Sequence, residues 1–183
     1  MIDSQQASAA LDDINDVVRR VRQSQIYQLA SRIIVTWGVV LFATYIANYI
    51  WPRQGYAIWI VANLTGLAIS VAIGVVTNVR SGIRPFPIRS LTTFLLIAAF
   101  GVFCTFVLGH FGPRQMIVFW ALYGMLFYAM AGLWFGYVFI VIAVCTTALT
   151  LIGYYCIGAA FLLWMAVVHG GGLILGGLWM RRS

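Results

Sequence analysis

Polar and charged residues crowd the chain before Ile33, and apolar residues dominate almost everything after it. From there the pattern resolves into six apolar runs: Ile33–Trp51, Ala57–Asn78, Leu91–Gly109, Met116–Phe135, Val138–Tyr155 and Ala159–Met180. A helix of about 20 mostly apolar residues crosses a hydrocarbon core of about 30 Å. Each run therefore predicts a transmembrane helix. Pro52, Pro85, Pro87 and Pro113 all fall between runs, where helices stop. The weakest boundary lies in MAGLWFGYVF, Met130 to Phe139, where no charge marks a turn. A single helix over Met116–Tyr155 would be about 60 Å long, so the chain has to reverse there. Gly132 and Gly136 are the permissive points.

The segment before the first run has a different pattern. In LDDINDVVRRVRQSQIYQLASR, Leu11, Ile14, Val18 and Val21 recur at helical spacing. Asp16 stands three and four residues before Arg19 and Arg20, close enough to pair with either along a helix. The acids come first and the arginines later, as the helix dipole prefers. This predicts an amphipathic cytoplasmic helix over part of residues 1–32, running into or hinging onto a bundle formed by residues 33–183. Its apolar stripe has two functional uses besides acting as a linker: lying on an anionic leaflet, or packing on a partner or a second copy.

Composition strengthens the membrane reading. The chain is 63% hydrophobic and 8% charged, against about 25% charged in soluble domains. The net charge of +7 comes entirely from arginine over aspartate, and all four acids (Asp3, Asp12, Asp13, Asp16) precede the first run. Arginines flanking apolar runs are a signature of topology and not of nucleic-acid binding. With six spans and cytoplasmic termini, Arg19, Arg20, Arg22, Arg32, Arg80, Arg84, Arg89, Arg181 and Arg182 lie inside, and only Arg53 and Arg114 outside. Five spans would move Arg181 and Arg182 out, so the positive-inside rule favours six. The expected setting is a bacterial-type inner membrane. The first apolar run starts too far from the N-terminus for a cleavable signal.

The chemistry within the runs is sparse. None contains Asp, Glu, Lys or Arg, so a carboxylate proton relay and a charge-paired substrate site are excluded. No HExxH, GxSxG, P-loop or CxxC spacing occurs. Cys104, Cys145 and Cys156 are dispersed and read as small buried hydrophobes. Asn48 and Asn63, brought together by the short turn between the first two runs, are expected to share an interhelical hydrogen bond. His110 reads as solvated in an outer loop.

The most distinctive feature is His169 in AVVHGGGLILGGLWMRR. On a helical wheel, Gly158, Ala159, Ala166, Gly170, Gly172, Gly176 and Gly177 form a small-residue face, and His169 falls among them. Ala166/Gly170 and Gly172/Gly176 are small-xxx-small pairs, which let a second helix approach. A protein-facing imidazole at this depth needs a partner. Thr146, Thr147 or Thr150 on the fifth run, at similar depth, is the expected one. Pairing His110 with His169 on one haem is opposed by a depth difference of about 15 Å. A haem shared between two copies of His169, and a quinone or small-solute pocket, stay as alternatives.

These residues predict an all-α integral membrane protein with six spans behind an amphipathic cytoplasmic helix. No cofactor is expected. The preferred function is a non-catalytic accessory or interaction subunit, homodimeric through the sixth helix or bound to a membrane-protein partner. The alternative is a small transporter or channel for a neutral solute.

Overall fold

In a bilayer the backbone finds no water to bond, so each crossing segment must satisfy its own N–H and C=O groups. The computed structural model describes residues 4–81, 88–108 and 111–181, and these are helical apart from short turns. Helix α1 spans Ser4–Ile50, α2 Gly55–Ser81, α3 Ile88–Leu108, α4 Pro113–Phe135 and α5 Tyr137–Cys156. The last helix, α6, occupies Phe161–Met180 and contains a π-helical turn over Ala166–Gly171. Five helical stretches are long and apolar enough to cross a membrane: Tyr27–Ile50, Pro52–Thr77, Pro113–Phe135, Tyr137–Cys156 and Phe161–Met180. Within α3 the apolar stretch is shorter, Leu95–Val107.

Pro52 and Pro113 stand at helix starts, where a missing N–H costs nothing. The turn holding Pro85 and Pro87, along with His110 and Arg182, lies outside the described residues. The sharpest reversal is at Gly136, the single residue separating α4 from α5. Its φ of 129° suits glycine and few other residues. A side chain there would also strike the hydroxyl of Tyr27. The turn closes through Gly136 N–H donating to the Gly132 carbonyl at 3.1 Å.

The core joins α1, α4, α5 and α6. At one end Tyr27, Ile34, Met125, Val138, Phe139, Ile142, Leu173 and Met180 pack together. At the other end Tyr45, Val118, Ala121, Phe161, Met165 and Ala166 do so. Helices α2 and α3 are peripheral. On α2, Ser70 accepts from Trp37 Nε1 at 3.1 Å, and the Trp37 ring lies over Gly66. On α3, the Ile97 carbonyl accepts from Tyr123 at 2.6 Å, and Gly101 lies under Trp120 and Tyr123. Their remaining faces expose Ile60, Leu64, Val71, Leu96, Phe100 and Phe106, as lipid-facing helices do.

In the α1–α6 seam the two backbones approach each other directly. A Cβ on Gly38 would meet the Gly170 carbonyl at 2.9 Å and the Ile174 nitrogen at 2.8 Å. A Cβ on Gly170 would meet Phe42 Cα and N at 2.7 and 2.8 Å. These are backbone atoms, which cannot rotate away. At the Tyr27 end of the seam Ser31, fully buried, donates to the Gly177 carbonyl and accepts from Arg181 Nε at 3.1 Å.

This geometry gives an ordered mutational series. Gly170→Ala should destabilise the bundle by about 1–3 kcal/mol or more, because its methyl is forced into α1 backbone. Gly158→Ala, in open space, should leave stability unchanged. Thermal unfolding in detergent compares the two, and equal losses would show that the seam is not the tight contact.

Candidate functional site

His169 sits in the π turn of α6, 6% exposed. Its Nδ1 is 2.9 Å from the Tyr45 hydroxyl. Either neutral tautomer serves this bond, since a phenol both donates and accepts. No other hydrogen bond engages the imidazole among the described residues. Tyr45 is 1% exposed and meets Trp59 of α2 edge-on, with ring centroids 5.3 Å apart. The imidazole is thus held in a three-helix junction of α1, α2 and α6.

The partner differs from the expected threonines. Contacts along the antiparallel α5–α6 pair explain why. Gly176 lies on Ile142, Gly172 on Thr146, and Gly153 on Trp164. In that register Thr150 stands level with Val168, and the next residue, His169, is turned toward α1. Thr146 and Thr150 are buried, yet neither bonds His169. The Thr150 hydroxyl is buried without a partner among the described residues. Thr147 is half-buried and lines a groove between α4 and α5.

Asn48 and Asn63 do not meet as expected either. Asn63 is exposed and donates to the Trp59 carbonyl of its own helix at 2.8 Å. Asn48 is buried and faces Gly55 at the head of α2. The three-residue helical turn Pro52–Gln54 sets α2 so that Trp59, not Asn63, comes level with Tyr45.

The small residues divide into three groups. Gly170 and Gly177 face α1, Gly176 faces Ile142 of α5, and Ala166 is buried beside Tyr45 and Met165. Gly172 faces Thr146 of α5 too, at an ordinary van der Waals distance of 3.6 Å, so it packs less closely than Gly176. Gly158 and Ala159 are a correction. They are exposed in the turn before Phe161, where α6 begins.

Sequence reasoning missed Tyr45. It lies in the first span, remote in sequence from His169, and its neighbours carry no motif. The available signal was its type, a polar-tipped aromatic in an apolar run, since a buried phenol hydroxyl requires a partner.

The chain matches no known protein family, no curated protein and no solved structure. The fold defines the class, an all-helical multi-pass membrane protein, and function rests on its own geometry.

A double-mutant cycle measures the central pair. Tyr45→Phe and His169→Leu should each destabilise the protein, and the double variant by less than their sum. The expected coupling is about 0.6–1.7 kcal/mol, the range for interhelical bonds in membranes. Strict additivity in detergent unfolding would show that the contact contributes nothing.

Proposed function

We propose that this protein is a six-span accessory or interaction subunit without chemistry of its own, whose α1 helix carries a docking surface out of the membrane. The observation that carries the reading is that α1 is a single 47-residue helix, Ser4–Ile50. At about 1.5 Å per residue it is about 70 Å long, more than twice the hydrocarbon thickness. Its membrane half is clamped to α6 by the glycine seam, so a force or partner on the outer turns acts on a rigid lever.

Charge order along α1 favours docking over adhesion to lipid. Arg19, Arg20 and Arg22 lie nearer the bundle, and Asp12, Asp13 and Asp16 farther out. An anionic leaflet attracts the first group and repels the second. The distal turns are therefore held off the membrane, and Ile14 and Val17 there are exposed.

The count of six is supported by the direction of the helices. Helix α2 packs antiparallel to α1, so it ends at the Tyr27 side. Helix α4 begins at the opposite side, where Arg114 meets the end of α5. The chain between them must cross back, and α3 is the helix available for it. Both termini then lie on the arginine-rich, cytoplasmic side of an inner membrane. At the depth of His169 the α1–α6 backbones touch, which favours this reading over a solute path along that seam.

Affinity purification tests the proposal. The full chain should co-purify a defined set of proteins that is lost when residues 4–24 are deleted, while Tyr45→Phe retains it. An unchanged set after deletion refutes docking through α1.

A further inference from the structure

We propose that the α4–α5 seam is a phospholipid site, with Arg114 binding the phosphate and the groove beneath it seating an acyl chain.

Arg114 occupies the first turn of α4, and its Nη2 reaches across to the end of α5. It donates to the carbonyls of Gly153 at 3.1 Å, of Tyr154 at 2.6 Å, and of Ile157. Its guanidinium carbon lies 5.3 Å from the Tyr154 ring centroid and 4.5 Å from that of Phe161. These contacts hold the cation in one place. They do not neutralise it, because a helix C-terminus carries only about half a negative charge. All four acids of the chain precede residue 17, and Asp12, Asp13 and Asp16 belong to α1, which enters the bundle from the opposite end. Among the described residues no carboxylate lies near Arg114. Among the described residues its Nε is buried without an acceptor, out of reach of an outside ligand, and its three hydrogen bonds all run through Nη2, which leaves Nη1 as the donor open to a ligand. The side chain remains partly exposed. A fixed cation with a free donor at the membrane surface attracts an anion from outside the chain.

Below it, along the same seam, runs a groove of about 500 Å³. Leu122 and Ala129 of α4 line it from one side, and Ala143, Thr147, Ala148 and Leu151 of α5 from the other. The alanines leave a gap where the two helices would otherwise touch. Leu151 is one turn from Tyr154, whose carbonyl holds Arg114. Leu122 is about 12 Å along α4 from Arg114. The headgroup and ester layer takes up roughly half of that distance, which places the first methylenes at the groove mouth.

Helices α4 and α5 are joined by one residue, and the groove on their shared face opens outward past the exposed Leu126, Val144 and Leu151, where a polymethylene chain lies flat against it. The headgroup should be anionic rather than zwitterionic. A choline or ethanolamine ammonium finds no acidic side chain on this side of the bundle.

Native mass spectrometry of the delipidated full chain tests this, with phosphatidylglycerol, phosphatidylcholine and inorganic phosphate as probes. The wild type should retain one phosphatidylglycerol, about fivefold more tightly than phosphatidylcholine, the effect of one surface arginine. Ala148→Phe, which fills the groove from an exposed position, should lose both lipids at unchanged melting temperature. Arg114→Gln should bind the two lipids equally, and Arg114→Lys should restore the preference. The proposal is overturned by equal wild-type affinity for the two lipids, or by Ala148→Phe binding as wild type. Displacement of the lipid by inorganic phosphate with equal strength in wild type and Ala148→Phe would reduce the site to an anion site and overturn the acyl seat. A dimer abolished by Ala148→Phe would assign the groove to a second copy instead. Should Arg114→Gln fail to fold, Ala148→Phe still decides.

Discussion

Backbone-to-backbone contact between α1 and α6 is the constraint on which the rest of the structure depends. Lipid tails are as apolar as leucine, so burying apolar side chains does not drive helices together in a membrane. Dispersion and interhelical hydrogen bonds have to do so. Both act only at short range, which glycine permits. Gly38, Gly170 and Gly177 remove the side chains that would hold the helices apart. The approach then brings two polar contacts within reach, Ser31 with the Gly177 carbonyl and Tyr45 with His169. Each satisfies a group that would otherwise be unpaired in hydrocarbon.

The π turn fits the same scheme. It places His169 beside Tyr45 while the turns before and after it keep their own contacts, Met165 in one core and Leu173 in the other. Such turns are uncommon and recur at functional positions. Here the turn serves an imidazole–phenol bond inside a seam. The bond reports position along the helices, since a polar pair has one good register where apolar packing has several.

The helices divide the labour between them. The α1–α6 seam and the α4–α5 hairpin form the rigid part, closed at one end by Gly136 against Tyr27 and at the other by Arg114 across the end of α5. Helices α2 and α3 lean on this part through few polar contacts and present long apolar faces to lipid. Helix α1 belongs to the rigid part through its second half and continues beyond it through its first. A lever of this kind suits a subunit whose work is contact.

How much could be read from sequence depended on the range of the forces involved. Although it did not show that the first helix continues unbroken from Ser4, hydropathy alone determined that the chain is helical and membrane-embedded, where most of its apolar helices end to within a few residues, and that the fourth run must reverse at Gly132 or Gly136. These features rest on local composition, because the bilayer imposes the same length and the same internal hydrogen bonding on every segment. Sequence also marked His169 as protein-facing and in need of a partner. Which partner it finds was decided only in three dimensions. The hairpin neighbour, α5, was the natural guess because it is adjacent in the chain. The glycine seam instead sets the sixth helix against the first, and one widened turn directs the imidazole to Tyr45. A regular wheel carried Gly158 and Ala159 onto the packing face, although they lie in the exposed turn before the helix begins. Periodicity carries the average rotation of a helix, and the contacts of single side chains depend on departures from it.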